Sequence, residues 1–254
     1  MSILQVARDA VPYALKAYEP DIVSGKWRHG NAHGYLTYSE GQLHVGIAGT
    51  DSPETFLSDI MAVPRSLIDW SKFTGIPIAK YSHGVVSSKG LLDHLYDTYT
   101  GIERELDRLG IHAEEIHQAS FYGHSLGGAM ALLLSHTQTF EHARAVTFGC
   151  PKTYHKDSLT PIRIRYQVWQ YQDPVPYLPF GYQHADNQPV ILTLPGRVPH
   201  GSTPHSLRPF LAVAIGTVWV SRVWRAVMRL VGKDVKVFKS HSMRRHAELL
   251  GVEF

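Results

Sequence analysis

The residue best suited to covalent chemistry in this chain is a serine held between glycines. The stretch Ser120-Phe121-Tyr122-Gly123-His124-Ser125-Leu126-Gly127-Gly128 contains Gly-x-Ser-x-Gly. Ile116 to Tyr122 reads as a short strand before it, and Leu126 to His136 as a helix of small and apolar residues after it. A serine on a sharp strand-to-helix turn needs small neighbours two residues away on either side, because the strand and helix backbones nearly touch there. Gly123 and Gly127 meet that need, while Gly128 and Ala129 let the helix close on the strand. Such a turn sets the Ser125 oxygen clear of the backbone, near a helix N-terminus where developing negative charge is stabilised. The competing reading is an ordinary glycine-rich turn. The flanking strand and helix favour the nucleophile.

A serine hydroxyl is a poor nucleophile at its own pKa. It needs a base, normally histidine, and the base needs a carboxylate to orient it. In α/β-hydrolases the chain order is serine, then acid, then histidine, so both partners are sought beyond Ser125. Asp173 is the best acid. It follows the strand-like run Ile164 to Tyr171 and precedes Pro174-Val175-Pro176, which stiffens its loop. A carboxylate at the end of a parallel strand lies where such sheets bind ligands. Asp157 and Asp186 follow no comparable strand. The base is harder to choose among His184, His200, His205, His241 and His246. His241 follows the strand-like Val235 to Phe238 and opens a helical pattern ending at Gly251, which is where the hydrolase histidine belongs. His205 is the runner-up, because His205-Ser206-Leu207 resembles His241-Ser242-Met243. His124 stands next to the nucleophile, where adjacent side chains diverge, and reads as structural.

Acyl transfer also needs donors for a tetrahedral oxyanion. The backbone N–H of Leu126, directly after Ser125, supplies one. Thr50, at the end of the strand Gln42 to Ala48, offers a second through its N–H and hydroxyl. A plain turn after a hairpin strand is the alternative there.

Alternating helices and strands must position these groups. Gly34 to Ser39 and Gln42 to Ala48 alternate around Glu40-Gly41, a hairpin signal. Met1 to Glu19 reads as an amphipathic helix, and Pro53 to Met61 as a short helix capped by Ser52. Ser87 or Ser88 to Leu109 carries leucines at helical spacing and stops at Gly110. Arg144 to Phe148 is a further strand. This alternation predicts an α/β fold, a central, mostly parallel sheet flanked by helices. With 254 residues, 44% hydrophobic and 19% charged, one domain over 1–254 is expected, too apolar for a disordered chain. A formal charge of +3 gives no reason to expect nucleic acid. The single cysteine, Cys150, excludes an internal disulfide and a cysteine-based zinc site. No signal peptide or transmembrane run is evident, so the expectation is a cytoplasmic protein with candidate membrane association.

Taken together, these blocks resemble the class 3 lipases, the fungal-lipase-like branch of the α/β-hydrolases, over roughly residues 35 to 250. His44-Val45-Gly46-Ile47-Ala48-Gly49-Thr50 resembles the family's oxyanion strand, and Phe56-Leu57-Ser58-Asp59 its Trp-Leu-x-Asp. Ser82-His83-Gly84-Val85 resembles His-x-Gly-Phe, and Phe148-Gly149-Cys150-Pro151 resembles Phe-Gly-Ser-Pro. Gly123 to Gly128 is the nucleophile motif, Asp173-Pro174-Val175-Pro176 the acid block, and His241-Ser242-Met243 resembles the histidine block. Ala48 and Phe56 stand where the family usually has Arg and Trp. The resemblance implies a serine esterase for acylglycerols or related lipid esters, working without metal or cofactor. The competitors are a non-catalytic lipid-binding protein on the same fold and a serine hydrolase of thioesterase or phospholipase type.

A lipid substrate raises the question of a membrane face. Arg208 to Val231 reads as a long helix, with Arg222, Arg225 and Arg229 opposite Val220, Trp224, Val227 and Val231. That pattern suits peripheral membrane contact through residues 210–231. It suits slightly better a core helix with solvated arginines. The apolar segment Phe56 to Phe73 is the other candidate for a mobile cover.

Overall fold

Small residues at helical spacing set how the first helix packs. Ala7, Ala10, Val11 and Ala14 share one stripe and are fully buried. They form the inner face of α1 (Ile3–Lys16), which Ser2 opens by accepting from the N–H of Gln5. The chain is seen here in a computed structural model, which describes residues 2–19, 25–50, 63–140, 143–156, 158, 165–170, 173, 175–179, 181–184, 190–192 and 241–252.

After α1 come β1 (Lys26–His29), β2 (Ala32–Ser39) and β3 (Gln42–Ile47). The expected hairpin is β2–β3, turned by Glu40 and Gly41 at φ 50° and 76°. β4 (Pro64–Ser66) leads into α2 (Leu67–Thr74), and β5 (Val86–Ser88) into α3 (Lys89–Leu109). α3 has the expected ends: Ser88 caps its start, and Gly110 stops it in the left-handed region at φ 70°. There follow β6 (Gln118–His124), α4 (Leu126–Leu134), β7 (Arg144–Phe148), β8 (Tyr154–His155), β9 (Arg165–Gln170), β10 (Tyr182–Gln183), β11 (Val190–Leu192) and α5 (Met243–Leu250).

Among the described residues seven strands form one sheet in the order β1-β2-β3-β6-β7-β9-β11. β3, β6, β7, β9 and β11 pair in parallel, and β2 is antiparallel to both β1 and β3. Side chains alternate between two layers, as the pleat requires. Leu43, Val45, Ile47, Phe121 and Ala145 join the core shared with α3 and α4. Tyr122, Val146, Phe148 and Val168 join the core shared with α1 and α5. The helix α4, apolar all round, is buried along its whole length. Gly46 lets α1 approach, since a β-carbon on it would lie 2.1 Å from the Tyr13 carbonyl oxygen. This is the expected α/β-hydrolase architecture, with helices on both faces.

Of the candidate cover Phe56 to Phe73, the described residues 63–73 pack on the body of the protein. β4 pairs with β5, and Leu67 and Trp70 in α2 are 0% and 1% exposed within the main core. Lifting α2 would expose both side chains, at about 1.5–3 kcal/mol each. Phe73, 80% exposed, is the apolar residue that α2 leaves in solvent. The candidate helix over 53–61, the segment 210–231, the strand-like run 235–238, Asp157, Asp186, His200 and His205 all lie outside the described residues. No helix among the described residues is long and apolar enough to cross a membrane.

Candidate active site

Four neighbouring strands deliver the site. The C-terminal ends of β3, β6, β7 and β9 lead respectively to Thr50, Ser125, Gly149 and Asp173. That edge is where open parallel sheets present ligand-binding groups.

Ser125 sits between β6 and α4 at φ 57° and ψ −127°. A side chain held there costs about 1–3 kcal/mol, so the surroundings must enforce it. Its N–H donates to the Phe148 carbonyl at 2.9 Å, and its carbonyl accepts from the N–H of Gly128 at 3.0 Å. The glycines on either side show why no larger residue fits. A β-carbon on Gly123 would lie 2.1 Å from the Gly127 carbonyl oxygen, and one on Gly127 would lie 2.2 Å from that of Ile47. In both cases the obstacle is backbone, which cannot swing aside.

Asp173 is 0% exposed. Its Oδ1 accepts from the N–H of Val175 at 3.0 Å, and its Oδ2 lies 2.8 Å from Nδ1 of His241. A carboxylate accepts, so Nδ1 of His241 carries the proton. Gly149 lies directly behind this pair. A β-carbon there would come within 2.6 Å of Asp173 Oδ2 and 3.1 Å of His241 Nδ1. The histidine is also near the Ser125 turn. Its ring centroid is 4.6 Å from that of His124, the residue preceding Ser125.

Gly49 and Thr50 close the other side. A β-carbon on Gly49 would lie 2.9 Å from Ser125 Cβ and 2.8 Å from the His124 carbonyl oxygen, so this loop rests on the Ser125 turn. The Thr50 hydroxyl oxygen is buried without a hydrogen-bond partner among the described residues. Leu126 is the first residue of α4, where helix N–H groups have no partner within the helix. Ser125, Asp173, His241, Thr50 and Leu126 thus lie at one edge of the sheet.

The sequence signature of the family Lipase (class 3) matches residues 44–183, more than half of the chain. The chain belongs to the class 3 lipase family. Membership makes it a lipase-type ester hydrolase. Solved structures share the fold of this lipase. The nonglycosylated Lip2 lipase of Yarrowia lipolytica is 21% identical, over 75% of this chain and 80% of that one, with a TM-score of 0.57. A mono- and diacylglycerol lipase from Aspergillus oryzae is 18% identical, over 73% and 78%, with a TM-score of 0.51. No curated protein sequence matches the chain significantly.

Three further groups lie around the class 3 lipase site: Gly149 and Tyr18, to which sequence reasoning gave no role, and His246, which it held only as a candidate base. Gly149 lies in the Phe148-Gly149-Cys150-Pro151 block, and the signal for it was that block, read only as a likeness. Tyr18, just past α1, gave no local signal. His246, on α5 and fully buried, donates from Nδ1 to the Ser242 carbonyl at 3.0 Å. Its ring lies 5.7 Å from that of His124. Cys150 is no rival nucleophile, because burial pushes its thiol up to about 12.

The buried histidines give this lipase a pH-dependent stability. Burial, then the neighbouring His241 and His246, hold His124 well below the ordinary histidine value. Burial likewise lowers His246, and lowers His184 to about 4. The folded state therefore resists protons that the unfolded chain accepts near pH ~6.5. Stability from these groups is complete above that value and is lost as pH falls below it, with the His184 part running down to about 4. Calorimetry should find Tm at pH 5 lower than at pH 7 by at least ~3 °C. An equal or higher Tm at pH 5 would contradict this.

Proposed function

We propose that this class 3 lipase hydrolyses carboxylic esters of acylglycerols or related lipids through an acyl-enzyme on Ser125. The observation that carries the reading is the buried Asp173–His241 hydrogen bond of 2.8 Å beside a serine held at positive φ. With Nδ1 of His241 engaged by Asp173, Nε2 is the nitrogen that exchanges protons with the reacting oxygens. Ser125 Oγ attacks the ester carbonyl carbon while its proton passes to Nε2 of His241. The carbonyl oxygen becomes an oxyanion, received by the N–H of Leu126 and the N–H and hydroxyl of Thr50. Collapse breaks the carbon–oxygen bond to the alcohol, which leaves with the proton from His241. Water, deprotonated by the same nitrogen, attacks the acyl-enzyme, and the acid leaves as Ser125 regains its proton. Each oxyanion donor contributes about 3–4 kcal/mol in comparable sites.

Glyceride substrates are favoured by the family and by the fold shared with a mono- and diacylglycerol lipase. Peripheral lipid contact through residues 210–231, in a protein of the cytoplasm, is part of the same proposal and rests on the sequence pattern alone. The test is hydrolysis of p-nitrophenyl esters of increasing chain length, mono- and triacylglycerol emulsions, and acyl thioesters of matched chain. The expected result is turnover of the oxygen esters, with kcat/KM for glycerides above that for thioesters. Preference for the thioester would move the enzyme to another substrate class, and no turnover of any ester would remove the reading.

A further inference from the structure

The Tyr18 hydroxyl lies between two parts of the site that are distant in sequence. It accepts from the N–H of Gly49 at 2.7 Å and is 2.9 Å from Nδ1 of His124. Nε2 of His124 in turn meets the carbonyl oxygen of His241. A carbonyl only accepts, so Nε2 holds a proton. His124 is buried and its pKa is well below 6.5, so the ring is neutral and Nδ1 is an acceptor. The directions of all three bonds follow. Gly49 N–H donates to the Tyr18 oxygen, Tyr18 O–H donates to Nδ1, and Nε2–H donates to the His241 carbonyl.

Both ends of this chain of bonds bear on the reaction. Gly49 precedes Thr50 and rests on the Cβ of Ser125. Its own N–H is taken up by Tyr18, which ties down the backbone directly before Thr50. The other end is the backbone of the residue whose ring is held by Asp173. The middle member, His124, directly precedes the nucleophile. One continuous bridge thus runs behind Ser125, from the loop that carries an oxyanion donor to the backbone of the base.

We infer that Tyr18 and His124 are positioning residues, whose hydrogen-bonded bridge fixes the oxyanion loop and the base backbone at one separation about Ser125. The inference rests on the roles proposed above for Ser125, His241 and Thr50. Neither Tyr18 nor His124 touches the reacting atoms. A misplacement of about 1 Å at a reacting group can cost about 100-fold in rate. Loss of the bridge therefore lowers turnover without lowering substrate affinity. Hydrogen-bonded chains also act as units, so cutting one link spoils the whole.

The test is a mutant cycle on a soluble short-chain p-nitrophenyl ester, with kcat expressed per site titrated by a fluorophosphonate. Tyr18→Phe keeps the ring and deletes the hydroxyl. His124→Gln keeps an amide donor for the His241 carbonyl and drops the link to Tyr18. Each should lower kcat by roughly 10- to 100-fold, with KM within about twofold and phosphonylation slowed in proportion. The double variant should be no worse than the poorer single one, because both cut the same chain. Tyr18→Phe with unchanged kcat per titrated site would overturn the inference, even if less protein were titratable, since that result reports folding alone. Losses that add in the double variant would overturn it too. Failure of the wild type to react with the fluorophosphonate would instead bring down the reading of Ser125 itself.

Discussion

Asp173→Asn should lower kcat on a soluble ester by about four orders of magnitude, with KM changed little. The magnitude follows from burial and from the proton count. Asp173 is 0% exposed, so water cannot replace a lost interaction. Its two oxygens accept from two donors, the N–H of Val175 and Nδ1–H of His241. An asparagine can satisfy only one of them with its oxygen. If the oxygen stays on Val175, the amide N–H2 faces Nδ1 and forces the proton of the imidazole onto Nε2. That tautomer cannot take the proton of Ser125, and the ring no longer gains stabilisation when it becomes cationic. The same substitution leaves the volume of the side chain almost unchanged, so Tm should stay within a few degrees. Steady-state kinetics on Asp173→Asn beside the wild type decides the matter. A loss smaller than about tenfold would show that the carboxylate does not orient the base.

Much of this arrangement was legible because it is local. Ser88 and Gly110 mark the ends of α3 through cap chemistry, and Glu40-Gly41 marks the hairpin through backbone sterics. The glycines around Ser125 could be read for the same reason: a sharp turn leaves room for nothing else. β6 begins and ends two residues later than its apolar run, Ile116 to Tyr122, suggests. Ile116 follows a short 3-10 turn, while the parallel partners carry the ladder to Gly123 opposite Ile47 on one side and to His124 opposite Phe148 on the other. β1 was not foreseen, because only Trp27 of its residues is buried and an edge strand needs no alternation. The choice of His241 over His205 rested on element order alone, with no sight of the contact that decides it. That contact is with Asp173, and it spans 68 positions for His241. Gly149 and Tyr18 escaped notice for the same reason, since their importance comes from neighbours brought in by the sheet order.

Ser125→Ala should have the largest effect of any single substitution, abolishing ester hydrolysis by about 10^6-fold. The hydroxyl is the only atom group removed, and the other members of the site have nothing to activate without it. The backbone at φ 57° is retained, and the hydroxyl makes no capping hydrogen bond to α4 that would be lost. The most direct measurement is therefore chemical. Wild-type protein and Ser125→Ala are treated with a fluorophosphonate, and the adduct is located by intact-mass and peptide mass spectrometry. The prediction is one phosphonyl group per wild-type chain, on Ser125, appearing in step with loss of esterase activity, and none on Ser125→Ala. An unmodified wild-type serine, or a Ser125→Ala protein that still hydrolyses esters and still takes the label elsewhere, would contradict it.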